Sequence, residues 1–308
     1  MPEVSVLLPV RDGARTLPLA LLSVLEQSFG DFELLVLDDG SVDASPDIAL
    51  GFGDARVRLL RDGQRQCLAA RLNQGIDAAA GRYIARMDAD DVCFPDRFAR
   101  QVARLNAESS LDLVACRVLD FDDSGSATGL RPYRLSHEAL CARPWNGFYM
   151  VHPSWMGRAK WFRRFRYRTP ELLRSQDQEL LLRACPDSRY AVLDEILMGY
   201  RLGPTALRNV YSQRRCLFAA QIGLFARRGQ WGNLLLATLA TGLKLPRDLI
   251  FATTAERRWR DRRGGEVPAE IAKAWTQLLS SLTRRLDELN MPRGVELDAT
   301  LKGQAHAG

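Results

Sequence analysis

Apolar residues in this chain come in short blocks separated by polar turns, and the blocks alternate between two periods. Val4–Leu8 is a short apolar run closed by Pro9, and Phe32–Leu37 is a second, closed by Asp38-Asp39-Gly40-Ser41. Runs of this length, apolar almost throughout, fit strands buried on both faces. Between them, Leu17, Leu21, Leu22, Val24 and Leu25 line one helical face within Leu17–Gln27. Ser45-Pro46 predicts a helix start, with Ser45 as the cap and Pro46 at the first position. Val57–Leu60 reads as a third strand, and Leu68, Leu72, Ile76 and Ala80 as a helix ending at Gly81. Tyr83–Met87 is a fourth strand, broken by Asp88-Ala89-Asp90-Asp91. Phe94, Phe98, Val102 and Leu105 mark the helix after Pro95, and Leu111–Cys116 is a fifth strand.

This alternation predicts an α/β fold with a mostly parallel sheet flanked by helices. Ligands of such sheets bind beyond the carboxyl ends of the strands. Asp38-Asp39 and Asp88/Asp90/Asp91 each follow a strand directly, so parallel strands bring both clusters to one edge. Beyond residue 204 the pattern turns helical. Ile271, Trp275, Leu278, Leu282, Leu286 and Leu289 keep a single stripe, which Asn290-Met291-Pro292 ends. The expected organisation is a catalytic domain over 1–203, with a nucleotide half (1–120) and an acceptor half (121–203). A helical region over 204–292 and a flexible tail over 293–308 follow.

Composition narrows the classes. The chain has 308 residues, 46% hydrophobic and 26% charged, which excludes disordered and fibrous proteins. The net charge of +6 is uneven: 201–308 holds 18 Lys+Arg against 9 Asp+Glu, leaving 25 against 28 before it. The six cysteines form no C-x-x-C pair and have no histidine cluster beside them in sequence. Zinc and a disulfide framework are therefore not expected, and a reducing, cytoplasmic setting is. No basic leader precedes Val4, and the longest apolar candidate, Leu234–Leu243, is about half of a spanning helix. Arginines at 214, 215, 227, 228, 257, 258, 260, 262 and 263 lie among apolar runs. They suggest either a helical subdomain packed on the first or a surface contact with anionic membrane, at its inner face.

Carboxylates that converge repel one another, and a cation or a proton relieves them. Oxygen ligands suit magnesium or manganese bridging a diphosphate. A glycine cradle is missing: Pro9-Val10-Arg11-Asp12-Gly13-Ala14 offers one glycine, and no G-x-x-x-x-G-K-[ST] occurs. The stretches Val4–Val10, Leu34–Asp43 and Gly81–Asp91 resemble glycosyltransferase family 2. So do Arg71-Leu72-Asn73-Gln74-Gly75-Ile76, His152-Pro153-Ser154 and Gln176–Arg183. The likeness covers roughly residues 3–203.

That resemblance implies a GT-A fold and inverting transfer of a sugar from a nucleoside diphosphate, most simply UDP. The acceptor would be a saccharide or lipid-linked molecule of cell-envelope polysaccharide synthesis. By the same resemblance Pro9 and Val10 would line the nucleoside pocket through their backbone. Asp39 would accept from the base, and Arg71 would face base or diphosphate. Asp90 would bind manganese or magnesium with Asp88, which lies nearer the ribose, and Asp177 would be the general base. Asp91 either joins the metal pair or caps the next helix. His152 and Trp155 are candidate acceptor contacts, with Trp145 a further aromatic.

The chain departs from the family in having Arg11 and Asp12 after Pro9-Val10, and Gln176 where an acid is usual. Gln213-Arg214-Arg215 does not match the Q-x-x-R-W signature of processive synthases. Basic and aromatic residues interleave over Lys160–Arg168. Their place between His152 and Asp177 predicts an acceptor loop and not a nucleic-acid surface. Two other readings stand beside transfer: a sugar-phosphate nucleotidyltransferase, which needs a glycine-rich loop, and a degenerate nucleotide- or sugar-binding module.

Overall fold

The computed structural model describes residues 1–169, 174–203, 207–250 and 265–296. Nine strands form one sheet. They are β1 (Val4–Val10), β2 (Phe32–Asp38), β3 (Val57–Leu60), β4 (Tyr83–Arg86), β5 (Val92–Cys93), β6 (Leu113–Phe121), β7 (Ala127–Leu130), β8 (Met156–Arg158) and β9 (Tyr190–Arg201). Their order is β3-β2-β1-β4-β8-β6-β9-β5, and β7 pairs with the far end of β6, over Leu119–Phe121. The half built from β1 to β4 is parallel, with Val4 beside Phe32 and Tyr83, and Val10 beside Asp38. The other half is mixed. Strand β8 runs antiparallel to both β4 and β6, while β9 runs parallel to β6. Only the first half therefore follows the parallel pattern read from strand–helix alternation. Strand β8 has three residues, too few to leave a periodicity.

Strand alternation sends Leu7, Leu35 and Leu37 to one face and Val6, Leu8, Leu34 and Val36 to the other. Helix α3 (Leu68–Ala78) covers the first face with Leu72 and Ile76. Helices α1 (Leu17–Leu25) and α4 (Arg97–Ala107) cover the second with Leu17, Leu21, Val24, Phe98 and Leu105. The burial of both faces explains why β1 and β2 are apolar almost throughout. Helix α2 (Ser45–Gly51) begins at Ser45 itself, which is not its cap. The Ser45 hydroxyl accepts from Gly13 N and donates to Asp43.

Four more helices fill the second half: α5 (His137–Cys141), α6 (Ala159–Arg164), α7 (Gln176–Ala184) and α8 (Leu207–Arg227). Helix α9 (Trp231–Ile250) packs on α8, and α10 (Ala269–Glu288) returns to the sheet. Trp275, Leu279, Leu282 and Leu286 of α10 form a third core with Leu19, Leu22, Leu119 and Phe121. Leu289, expected on that stripe, is exposed. The Trp275 indole donates to Gly125 O at 2.8 Å and packs at a tilt against Phe121, ring centres 4.9 Å apart. It lies so close to β9 that a Cβ on Gly199 would sit 2.3 Å from its ring. The expected tail falls partly outside the described residues (297–308), as do the arginines at 257, 258, 260, 262 and 263. Among the described residues no helix is long and apolar enough to cross a membrane.

Trp275 is fully buried at the centre of this third core. Trp275→Ala is expected to lower unfolding stability by about 3–5 kcal/mol, the usual range for deleting a large buried ring. Urea denaturation followed by circular dichroism measures it.

Candidate active site

The parallel register places the ends of β1, β2 and β4 on one edge, as the order of acidic clusters predicted. At the end of β2, Asp38 is fully buried and lies 3.2 Å from Arg61. Asp39 donates its backbone N–H to Val10 O at 2.9 Å, which fixes it against the end of β1. Gly40, at φ +71°, turns the chain where a side chain would press on the Gln64–Arg65 backbone. The turns after β1 and β2 are clasped together. Asp12 N donates to the Ser41 hydroxyl, Val42 N to Asp12, and Ala14 N to Asp43. Asp12, an unusual residue for its place, is thus a structural clasp.

Arg71 is fully buried on α3. Its Nε donates to Asp39 Oδ1 at 3.0 Å, Nη1 to Asp62 and Gln74, and Nη2 to Asp62 and the Gln64 carbonyl. Those bonds use all five guanidinium donors. Arg71 therefore stands behind Asp39 and cannot also face a base or diphosphate, contrary to the expectation from resemblance. It pins the 61–66 loop, and holds the Asp62 carboxyl down to about 2 by hydrogen bonding. Asp39 Oδ1 takes a second bond from Gln66 N at 2.8 Å, while Oδ2 accepts none among the described residues.

Ligand oxygens of Asp88, Asp90 and Asp91 lie within 4.8 Å of one another. Burial, then the Asp88 charge, pushes the Asp90 carboxyl up to about 6. Burial, then Asp90 and Asp88, raises Asp91 well above the carboxylate range. Asp91 caps no helix: α4 starts after Asp96, and Asp91 Oδ1 instead accepts from Arg201 N at 2.9 Å where the β5–β9 ladder ends. Its Oδ2 is buried without a partner. Leaving such an atom unpaired costs about 1–3 kcal/mol. Three crowded carboxylates, one with an orphaned oxygen, fit a divalent cation, and an all-oxygen donor set fits the magnesium and manganese class.

Arg86, at the end of β4, is the residue the sequence reading left without a role. It is buried and pairs with Asp88 at 2.5 Å, while Nε and Nη1 have no hydrogen-bond partner. Burial works to lower its guanidinium pKa, but the charge and hydrogen bond of Asp88, with Tyr167 and Asp91, together outweigh this and hold it above its ordinary value. The Arg86 charge reaches His152, Tyr167 and Asp177. An arginine following Tyr83-Ile84-Ala85 in a buried strand was the available signal.

Asp177 is the second residue of α7, following Ser175 in a left-handed conformation. Burial raises its pKa, against a 3.2 Å hydrogen bond from Gln178 and the pull of Arg86. The carboxyl stands in the first turn of α7, where the helix N-terminus favours a negative charge. His152 is nine-tenths buried and shares a 2.7 Å hydrogen bond with the Tyr167 hydroxyl. Burial and Arg86 keep its ring neutral. Trp155 is fully buried, 4.6 Å from the His152 ring, so it is core and not a platform for an acceptor sugar. The expected acceptor loop over Lys160–Arg168 is instead helix α6 and a clamp. Trp161, Phe162, Phe165 and Tyr167 are buried, Arg166 pairs with Asp77, and Arg168 with Glu179.

The description Glycosyl transferase family 2 matches residues 5–166. EpsE of Bacillus subtilis (strain 168) is 37% identical over 127 residues, 40% of this chain and 46% of EpsE. The Escherichia coli UDP-Glc:alpha-D-GlcNAc-diphosphoundecaprenol beta-1,3-glucosyltransferase WfgD is 32% identical over 102 residues, 33% of this chain and 40% of WfgD. The chain spans about half the length of the curated relatives it matches. The mannosyltransferase PcManGT of Pyrobaculum calidifontis, solved with GDP-Man and Mn2+, superposes with a TM-score of 0.57 at 14% identity, over 93% of this chain and 88% of that one. The shared architecture is the GT-A fold.

The raised Asp90 carboxyl has a consequence for stability. Folded Asp90 holds a proton up to about pH 6, where the unfolded chain has lost its own near 3.8. The metal-free protein should therefore gain stability as pH falls from above 6 towards 4. Asp90→Asn should stabilise the metal-free protein at pH 8 by about 1–3 kcal/mol and abolish Mn2+ binding. Thermal melts across pH, with and without Mn2+, measure both effects.

Proposed function

The chain belongs to glycosyl transferase family 2, and from that membership we propose that it transfers a sugar from a nucleoside diphosphate to an acceptor hydroxyl with inversion. The observation that carries this reading is where the unpaired buried atoms gather. Among the described residues, Arg86 Nε, Arg86 Nη1 and Asp91 Oδ2 are buried without a partner, and the fourth atom without a hydrogen bond, Asp38 Oδ2, is held in the ion pair with Arg61. Arg86 and Asp91 bracket the acidic loop between β4 and β5, where a ligand would satisfy them.

On this reading the nucleoside lies over the Pro9 and Val10 backbone, and Asp39 Oδ2 accepts from the N–H of a uracil ring. Arg71 orients Asp39. Asp90 and Asp88, with Asp91 beside them, would hold a manganese or magnesium ion. Such an ion, when bound, stabilises charge on the phosphate oxygens. The acceptor oxygen attacks the anomeric carbon on the face opposite the diphosphate. Its proton passes to Asp177, and the electron pair of the broken C–O bond leaves on the phosphate oxygen. Burial strengthens Asp177 as a base. Buried Arg86 pairs with Asp88, and its positive charge is felt at Asp177. A nucleotidyltransferase is disfavoured by the missing glycine-rich loop, and a binding module has no use for Asp177.

Asp177→Asn separates these readings. Transfer is expected to fall about 10²–10⁴-fold, while calorimetric titration with UDP and Mn2+ still gives wild-type affinity. Equal transfer by mutant and wild type would remove Asp177 from the mechanism. GDP in place of UDP tests the proposed base.

We further propose a lipid-linked acceptor, met at an anionic membrane surface. The name of WfgD specifies a diphosphoundecaprenol acceptor, which supports the first part. Helix α9 supports the second. Trp231, Leu235, Leu239 and Leu243 recur every four residues on it and are 66%, 60%, 54% and 76% exposed. Between 207 and 247 the sequence has Arg208, Arg214, Arg215, Arg227, Arg228, Lys244 and Arg247 and no acidic residue. A second copy on this face would set like charges against each other, whereas anionic headgroups neutralise them. Vesicles of phosphatidylglycerol should sediment the protein and those of phosphatidylcholine should not. Leu235→Ser with Leu239→Ser should abolish the effect. Undiminished sedimentation by that double mutant would exclude α9, and dimerisation in sedimentation velocity without vesicle binding would assign the face to self-association.

A further inference from the structure

The six cysteines offer no metal motif by spacing, yet the fold gathers two of them with a histidine. His137 and Cys141 are the first and last residues of α5, one turn apart on one face. Cys185 opens the 3-10 turn Cys185–Asp187 that follows α7. The ligand atoms of the three lie within 4.8 Å of one another, and all three residues are half-buried. His137 Nδ1 is 3.7 Å from Cys141 Sγ and accepts a long 3.3 Å bond from Tyr190 N, while its ring packs on Tyr190 at 5.6 Å. Neither cysteine is in a disulfide.

From this geometry we propose that His137, Cys141 and Cys185 form a zinc-class metal site, separate from the carboxylate cluster. The donor chemistry distinguishes the two. Sulfur and imidazole nitrogen select Zn2+ or a similarly soft ion, and an all-oxygen set selects magnesium or manganese. The charges also balance. Binding Zn2+ releases the thiol protons of Cys141 and Cys185, and two thiolates with a neutral imidazole cancel the ion's charge. On binding, Nδ1 exchanges the long Tyr190 bond for the metal, and water completes a fourth position.

Such an ion would clip α5 to the end of α7. Helix α5 has five residues, of which only Leu140 is buried. Helix α7 carries Asp177 at its start, about 12 Å from Cys185 at 1.5 Å per residue. A clip at its far end holds α7 without touching the reacting groups.

The test uses the full chain under reductant, stripped of metal and titrated with Co2+. A thiolate-to-cobalt charge-transfer band in the near ultraviolet is expected, saturating at one equivalent and bleached by one equivalent of Zn2+. Cys185→Ser should lose the band, and Asp90→Asn should keep it. Since a serine variant can fail to fold, alkylation of the wild type read by mass spectrometry gives a second measurement. Zn2+ should slow modification of Cys141 and Cys185 at least tenfold and leave Cys67 and Cys216 unchanged. Cobalt absorption without the thiolate band, or equal alkylation with and without zinc, would overturn the site.

Discussion

Everything at the carboxyl edge of the sheet depends on one electrostatic constraint: three carboxylates crowd two buried guanidiniums, Arg86 and Arg201. Asp88, Asp90 and Asp91 offer oxygens within 4.8 Å of one another, and Arg86 pairs directly with only Asp88. Two positive charges, one of them shared with Asp123, cannot neutralise three negative ones, so the excess is met by protonation or by a cation. The raised pKa of Asp90 and Asp91 is the protein's response without the cation. The fold accepts this cost because the strand order leaves no alternative. The link between β4 and β5 is five residues long and must turn at the edge where β1 and β2 also end. The repulsion at this edge is what a divalent ion would relieve.

How much of this was legible in the sequence follows from how local each signal is. Strands β1 to β4 and helices α1, α3 and α4 announce themselves because their burial patterns complete within one segment. Strand β8 does not: Met156–Arg158 acquires its role only by lying between β4 and β6. The same limit explains the side chains. Asp39 and the acidic triplet follow their strands immediately, so their convergence was readable. Arg71 looked available for a ligand because its partners Asp39 and Asp62 come together only through the 61–66 loop. Trp155 looked like a sugar platform because an aromatic after a histidine reads the same whether it faces a cleft or the core. His137, Cys141 and Cys185 stayed invisible because two helices far apart in sequence supply them.

Arginine accounts for much of what the sequence misjudged. A basic-aromatic stretch was expected to meet an acceptor, yet Arg166 and Arg168 are bound to Asp77 and Glu179, and the rings between them are core. Arg97 and Arg158 are buried and donate to the carbonyls of Arg86, Pro153, Leu111 and Leu105. A planar guanidinium with five donors can satisfy several carbonyls at the ends of α4 and β4 and in the turns beside them, which a lysine cannot. High arginine content here therefore reports buried carbonyls left open at element ends more than a charged partner. The exception is the described stretch of α8 and α9, where Arg215 and Arg227 are exposed and the sequence supplies no acid beside them.

The C-terminal region bears on the site through one side chain. Arg201, the last residue of β9, gives its backbone N–H to Asp91 Oδ1 and its Nε to Asp90 O. Its remaining contacts reach Asp123 and the carbonyl of Gly294, beyond the end of α10. The loop that carries the acidic triplet is thus braced against the segment that follows α10, whose Trp275 is locked over Gly199 only two residues before Arg201. Packing of α10 fixes the end of β9, the end of β9 fixes Asp90 and Asp91, and those set the geometry offered to a cation. The C-terminal helix is therefore part of the site's support, although it contributes no residue to the site itself.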